Sequence, residues 1–489
     1  MRNYFLAFLF FSLLVGCFPS KQNELTAYNE LYRPRYHFSP TKNWINDPNG
    51  LVYLQGEYHL FYQYNPFGTT WGHMSWGHAV STDLLHWKHL PVAIEEYANP
   101  ATQDSTMIFS GTVVVDHANS AGFGVDAMIA IYTSNVHKSG QGIAQHQSLA
   151  YSTDKGRTWK RYANNPILDI QRKDFRDPKV FWHGPAKKWV MALVVPDLFK
   201  VQFYESSNLL QWKLSGEFTG AGDTTRVWEC PDLYQLKLDG TNEMKWVLSL
   251  SGAHPQGSKF VGMQYFVGEF DGNTFRKDAN SEHQFLDYGK DFYAGITFND
   301  MPDQRTIMIG WLNNWTYANQ VPTHPWRGAM SLPRELRLVK VEDKIQLASK
   351  PIFEVKSLRQ KERAVLSQPT SGSFEMEIYM ADSSQLILSQ GADDKVVLGY
   401  ANGQFTCDRT KTKNHSFQKD FSSVESVLVP SKPSSIEVSI FVDQSVIEIF
   451  INDGAQVLTD QFFMNPGEMR LQPVGNVKIK SGWDLSSIW

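Results

Sequence analysis

The sequence predicts an all-β protein, built as a β-propeller followed by a second β domain, most simply a sandwich. Three observations carry this. From Tyr36 onward, short β-prone runs alternate with Gly, Pro, Asn and Asp clusters, and long helical periodicity is absent. A turn-plus-tryptophan phrase recurs at the spacing of a four-stranded blade. Beyond Pro333-Arg334-Glu335-Leu336 the aromatic, turn-rich character gives way to charged sequence and then to a fresh set of alternating strands.

Taken in order, the chain opens on a targeting segment. Met1-Arg2-Asn3 is weakly cationic, and Tyr4 to Val15 is a mostly apolar run too short to span a bilayer. It ends in Leu14-Val15-Gly16-Cys17, which resembles a bacterial lipoprotein cleavage box. Residues 1–17 are therefore read as a signal peptide ending at a lipidated Cys17, with an ordinary signal peptide and an incidental cysteine as the alternative. Two or more acyl chains would anchor the protein stably. No later apolar run is long enough for a membrane helix, so the membrane is expected to be met only through lipid. That places the protein in a bacterial cell envelope, periplasmic or surface-exposed. Residues 18–32 are polar and irregular, a tether.

Residues 33–340 are read as the propeller. Runs at 58–64, 112–115, 128–132, 189–195, 246–250 and 306–311 read as strands. Ser81-Thr82-Asp83-Leu84-Leu85-His86-Trp87 recurs as Ser152-Thr153-Asp154-Lys155-Gly156-Arg157-Thr158-Trp159 and as Ser206-Ser207-Asn208-Leu209-Leu210-Gln211-Trp212. A weaker copy is Asp271-Gly272-Asn273-Thr274-Phe275. The copies lie about 50–70 residues apart, the scale of one blade. Each is expected to be a hairpin turn followed by a ring packed between blades, so these tryptophans are structural. Residues 341–370 read as a connector. Residues 371–489 carry strands at 373–380, 385–389, 395–400, 435–442 and 445–451, and Asn452-Asp453-Gly454 makes a hairpin turn.

Bulk properties narrow the function. At 489 residues the chain exceeds one ordinary core. Aromatic content of 13% favours a β-rich protein or one that stacks on flat ligands. A net charge of −4 without a basic run excludes nucleic acid as a partner. Of the three cysteines, Cys230 and Cys407 remain once Cys17 is lipidated; they fall in different domains, and no Cys/His cluster has zinc spacing.

Three acidic residues stand in similar settings. Asp47 lies in Asn43-Trp44-Ile45-Asn46-Asp47-Pro48-Asn49-Gly50, where Pro48 fixes φ and Pro48-Asn49-Gly50 supplies turn chemistry. Asp177 lies in Phe175-Arg176-Asp177-Pro178 and Glu229 in Trp228-Glu229-Cys230-Pro231-Asp232. Each falls at a turn-to-strand junction beside an aromatic residue and in a different blade, so the three can converge on the propeller axis. Converging carboxylates within aromatic walls suit a sugar site. Breaking a glycosidic bond needs one carboxylate as nucleophile or base and another as proton donor.

These motifs identify the chain as resembling glycoside hydrolase family 32, the β-fructosidases that include invertases, inulinases and levanases. The match runs from about Tyr36 to the C-terminus. It includes Gln63-Tyr64-Asn65-Pro66, Trp76-Gly77-His78-Ala79, Phe109-Ser110-Gly111, Pro325-Trp326-Arg327 and, in the second domain, Asp443-Gln444-Ser445-Val446-Ile447-Glu448-Ile449-Phe450. Ile45 departs from the methionine of many relatives. The resemblance implies a five-bladed propeller followed by a β-sandwich, a retaining mechanism, and no metal or cofactor. Asp47 resembles the nucleophile, Glu229 the acid/base and Asp177 the transition-state stabiliser. Asn46, Gln63, Trp71, Phe109, Ser110 and Arg176 match positions lining the fructose pocket, with Trp315 a weaker match. On this reading Trp228 and Asp177 keep Glu229 protonated and Arg176 keeps Asp177 ionised. Cys230 reads as buried filler behind Glu229, and His73, His78 and His86 as structural.

The leading expectation is an exo-acting hydrolase of fructans and sucrose, since the stretch from Asp291-Phe292-Tyr293-Ala294-Gly295 to Pro333-Arg334-Glu335-Leu336 resembles levanases and exo-inulinases more than plant invertases. Endo-acting levanase and sucrose hydrolase remain open. So do a catalytically silent glycan-binding propeller, against which the three carboxylates argue, and an inverting hydrolase of pentose polymers, against which Asn46-Asp47-Pro48-Asn49-Gly50 argues.

Overall fold

The computed structural model describes residues 28–99, 104–257, 259–279, 283–366 and 368–489. The signal peptide, Cys17 and most of the tether lie outside them. Five sheets follow one another as propeller blades, antiparallel apart from the short Trp326–Arg327 strand that pairs parallel with Asn43 and Trp44 of the first, and two further sheets form the sandwich.

The innermost strands of the blades are Asn43–Leu54, Asp104–Asp116, Arg176–His183, Glu229–Lys237 and Tyr293–Thr297. Each packs against the next, and the fifth packs against the first, so the ring is closed. Backbone hydrogen bonds lock that closure: Asn299 N–H donates to the Leu51 carbonyl, and Tyr53 N–H donates to the Asn299 carbonyl. Apolar side chains fill the wedges between neighbouring blades. Phe61, Trp76, Val113 and Tyr132 join the first and second, and Phe203, Trp228, Leu248 and Phe266 join the third and fourth. Burying each such side chain contributes about 1.5–3 kcal/mol, so these wedges are where the propeller gains its stability.

The recurring phrase is the turn between the third and fourth strands of a blade. In the first blade Ser81 Oγ donates to Asp83, whose Oδ1 accepts from the Leu85 and His86 amides. The Ser152–Asp154 and Ser206–Asn208 pairs repeat this pattern in the second and third blades. Trp87 is buried and Trp159 and Trp212 are half-buried, in keeping with their structural reading.

Two features differ from the sequence reading. Asn43–Leu54 is one continuous strand rather than a turn at 47–50. On its inner side Trp326–Arg327 pairs only with Asn43 and Trp44, so no ladder partner misses the N–H that Pro48 lacks. Gly50 has φ 52, and a Cβ there would stand 2.6 Å from Val113 Cγ2 of the neighbouring blade, so glycine serves close approach here. Second, the segment 341–370 holds regular structure. Lys344–Pro351 completes the fifth blade, and Arg359–Glu362 pairs with Val477–Leu485 of the sandwich. At the other end, Tyr28 stacks on Trp489 and Tyr32 is buried, so the last tether residues are docked.

Strands of the sandwich alternate buried and half-buried residues, as Lys395–Ala401 shows, and enclose a core of Met376, Leu388, Leu398, Val438 and Ile449 among others. A buried polar cluster joins it to the fifth blade. Arg334 donates to Asp287 at 2.9 Å and to Glu448 at 2.5 and 2.9 Å, and His37 bridges Asp443 and Glu448. Those carboxylates hold the His37 imidazole up at about 9 against its burial.

Candidate active site

All five innermost strands slip register near the same end of the propeller. The slips fall between Ile45 and Pro48, Ile108 and Gly111, Arg176 and Lys179, Glu229 and Asp232, and Tyr293 and Ile296. A bulge bends its strand and re-aims side chains that strict alternation would send to opposite faces. Asp177, Cys230 and Ala294 take left-handed conformations there, with φ 63, 45 and 53. Such conformations cost about 1–3 kcal/mol each and persist only where packing dictates them.

The bulges ring a cavity of about 400 Å³ at the axis end. Asp47, Asp177 and Glu229 line it together, from three blades. Asn46, Gln63, Trp71, Phe109, Ser110, Arg176 and Trp315 line it as well. Asn135, Gln145 and Asp174 are additional lining residues that the sequence reading did not name.

Asp47 is buried at 8% exposure. Its Oδ1 accepts from Asn46 Nδ2 at 3.0 Å and its Oδ2 from Ser110 Oγ at 2.6 Å. Burial raises its carboxyl above the ordinary range, these two donors oppose the shift, and Glu229 adds to it. Asp177 Oδ2 accepts from the Cys230 amide at 3.0 Å. Burial pushes Asp177 up to about 7; Arg176 pulls against this, while Glu229 and Asp47 reinforce it.

Arg176 stands between the acids, but its closest partner is Glu229. Nη2 donates to Glu229 Oε1 at 3.0 Å and Nη1 to Asp174 at 3.2 Å, whereas Nε is 3.7 Å from Asp177 Oδ2. Burial thus opposes the ionisation of Asp177 that Arg176 favours. Trp228 does not wall Glu229 as expected either. It packs with Phe199 and Phe218 in the wedge between blades, its indole N–H held by the Asp223 carbonyl.

Two contacts had no motif to announce them. Tyr293, 2% exposed, donates its hydroxyl to Glu229 Oε2 at 2.5 Å. Tyr293-Ala294 occupies in the fifth blade the place of Glu229-Cys230 in the fourth, and aligning the innermost strands would have marked it. Cys230 Sγ lies 3.6 Å from Asp47 Oδ2 and 3.8 Å from Asp177 Oδ2, between the two acids rather than behind Glu229.

Gln145 connects the lining residues on the Arg176 side: its Oε1 accepts from the Phe175 amide at 2.9 Å, and its Nε2 donates to Asn135 at 3.2 Å. Below the cavity the axis is plugged. Buried Lys179 donates to Thr297 and pairs with Asp232 at 3.3 Å. Asn299 Nδ2 donates to Thr112 Oγ1 and to the carbonyls of Val113 and Val180. The cavity is thus a blind pocket. Its carboxylates, aromatic walls and single guanidinium can grip one polyhydroxylated ring and exchange a proton beside it.

Comparison with known proteins agrees with this geometry. The family model for the glycosyl hydrolases family 32 N-terminal domain matches residues 37–351, and that for the family 32 C terminal matches residues 343–482. The chain is 41% identical to a levanase of Bacillus subtilis over 97% of this chain and 73% of that protein. It is also 41% identical to an extracellular exo-inulinase of Aspergillus niger, over 89% of this chain and 90% of that one. The crystal structure of an exo-inulinase from Aspergillus awamori superposes with a TM-score of 0.86 at 37% identity, covering 94% of this chain and all of that one. A β-fructofuranosidase from Schwanniomyces occidentalis, complexed with fructosyl-erythritol, gives 0.83 at 31% identity, covering 94% of this chain and 98% of that one. Five blades, a sandwich and these matches across nearly the whole length lead to one conclusion: the chain belongs to glycosyl hydrolase family 32.

Proposed function

We propose that this protein is a retaining, exo-acting β-fructosidase that releases fructose from the non-reducing ends of levan- or inulin-type fructans and from sucrose. The observation that carries the reading is the blind pocket. The Lys179–Asp232–Thr297 plug closes its floor, so a chain end can enter but a chain cannot pass through. The levanase and exo-inulinase relatives support the substrate class.

In the first step Asp47 attacks the anomeric carbon of the terminal fructosyl unit. The glycosidic C–O bond breaks, and Glu229 gives its proton to the departing oxygen. In the second step Glu229 takes a proton from water, water attacks the same carbon, and the bond to Asp47 breaks. Asn46 and Ser110 hold the Asp47 carboxylate in line. Asp177 binds fructose hydroxyls and, in its ionised form, stabilises positive charge building on the ring. Asn135, Gln145 and Asp174 lie with Arg176 on the proton-donor side, where the leaving group departs.

Asp47→Ala should lower fructose release by several orders of magnitude on every substrate. Glu229→Ala should lose about 10²–10⁴-fold on sucrose or levan and less on an activated fructoside whose leaving group needs no proton. Azide should partly rescue Glu229→Ala by attacking the fructosyl-enzyme, giving β-fructosyl azide, because two inversions retain configuration. Equal losses on both substrate types with no β-azide would remove the retaining assignment. Free fructose as sole product from levan supports exo action; a ladder of oligosaccharides would refute it.

Export rests on the leader, and a lipid anchor on Cys17. Cys17→Ser should release active, soluble protein from membranes, and unchanged fractionation would sink the anchor.

A further inference from the structure

We propose that the exposed ring of Phe67 is a docking platform for the part of a fructan chain that trails out of the active-site pocket; the inference rests on the fructosidase reading above. A pocket with a plugged floor takes the terminal unit. The remaining units of a polymer must then leave through the mouth and cross its rim. The loop over residues 66–73 forms part of that rim: it follows Asn65, which pairs with Trp44 at the site end of the first blade, and it carries Trp71 into the pocket wall.

Phe67 is 77% exposed, more than any other large apolar side chain among the described residues. A single exposed apolar residue ordinarily needs no explanation. Two observations set this one apart. First, its loop contributes to two ring pairs: Phe67 meets His73 edge-on at 5.3 Å, and Trp71, 40% exposed, meets Phe109 at 6.1 Å.

Second, the loop that presents it is fastened at each residue from Pro66 to Trp71. The Pro66 carbonyl accepts from Asn43 Nδ2, the Phe67 amide donates to Asn65 Oδ1, and the Gly68 carbonyl accepts from the Trp44 amide. The Thr69 carbonyl accepts from Arg327, the Thr70 carbonyl from Asn65 Nδ2, and the Trp71 amide donates to Asn319 Oδ1. Every tie uses backbone, so none depends on the Phe67 ring. A ring held rigidly in solvent offers a flat apolar face without further ordering cost on binding. The C–H faces of a sugar unit pack against such a face, a contact with the magnitude of other aromatic stacking pairs.

The test compares polymer with sucrose, whose leaving group is a single sugar unit. Phe67→Ala should lower the ratio of kcat/KM on levan or inulin to kcat/KM on sucrose by about three- to tenfold, through KM. Phe67→Trp should restore it. Trp182→Ala, which removes another half-exposed ring from the far end of the third innermost strand, should leave the ratio where it was. In an Asp47→Ala background, where turnover is suppressed, native gels cast with levan and with inulin should show weaker retardation when Phe67 is also replaced. An unchanged ratio with unchanged retardation would overturn the platform and leave the fructosidase reading intact. No fructose release from any of the three substrates by the unaltered enzyme would overturn both.

Discussion

Replacing Asp177 with asparagine is expected to stabilise the protein at alkaline pH while disabling it. Asp177 is 6% exposed and shares its surroundings with Asp47 and Glu229. Burial lifts its carboxyl from 3.8 to about 7, against the pull of Arg176. The folded protein therefore holds this proton after the unfolded chain has released it. The stability linked to the neutral form is complete below about pH 4 and is lost as pH rises to about 7. Roughly three pKa units correspond to about 4 kcal/mol as a ceiling. Asparagine also gives up the Arg176 contact, and protons redistribute among the three carboxylates, so the net gain should be about 1–3 kcal/mol above pH 7. With an unfolding entropy of about 1 kcal/mol/K for a chain of this length, Tm should rise by about 1–3 °C. The amide oxygen can still accept from the Cys230 N–H, so the bulge keeps its shape.

The assay is tryptophan-fluorescence or calorimetric melting of both proteins from pH 4 to 8.5, alongside fructose release. The two melting curves should coincide near pH 4 and separate through pH 5–7, with the variant higher; activity should fall at least about a hundredfold. A variant that melts below the parent at pH 8, or a difference that does not vary with pH, would mean that Arg176 stabilises a charged Asp177. The account of the site's electrostatics would then fail.

Two further predictions concern Tyr293 and Arg334. Tyr293→Phe removes the hydroxyl that holds Glu229 Oε2, so kcat/KM on sucrose should fall by about tenfold, with a smaller loss on an activated fructoside whose leaving group needs no proton; equal losses on both substrates would make Tyr293 merely structural. Arg334→Met strands Asp287 and Glu448 between the fifth blade and the sandwich and should cost about 3–5 kcal/mol. It should lower Tm with little change in KM for sucrose, and adding Glu448→Gln should recover part of the loss.

Much of the fold was legible because its turns are chemically explicit. Ser81/Asp83, Ser152/Asp154 and Ser206/Asn208 each satisfy several backbone amides with one short side chain, and that requirement writes a recognisable phrase into the sequence. The fifth blade makes the same connection through Glu342 and Asp343 without the phrase, so its last strand was read as connector. Strand lengths in the second blade were underread for another reason. Residues 135–138 and 141–145 mix polar and apolar side chains without alternation, and apart from Asn135 and Gln145, which line the pocket, they are half-buried or exposed.

The site was legible in part because it breaks the strand rules. Proline belongs at strand edges and bulges, and Asp47-Pro48, Asp177-Pro178 and Cys230-Pro231 announce three of the five bulges. The other two, at Phe109-Ser110 and Ala294-Gly295, contain no proline. Ser110 was found only through resemblance, and Tyr293 was missed. Glycine after the bulged residue is their shared signal, and each has a steric cause: a Cβ at Gly111 would lie 2.2 Å from the Ile131 carbonyl, and one at Gly295 2.9 Å from Met308 Sδ. Local sequence thus encodes each bulge separately, as proline where an N–H is dispensable and as glycine where the neighbouring strand crowds in. What no single stretch encodes is that all five lie at one end of one axis. That follows from ring closure, and it is ring closure that brings a nucleophile, a stabiliser and a proton donor from three blades into one pocket.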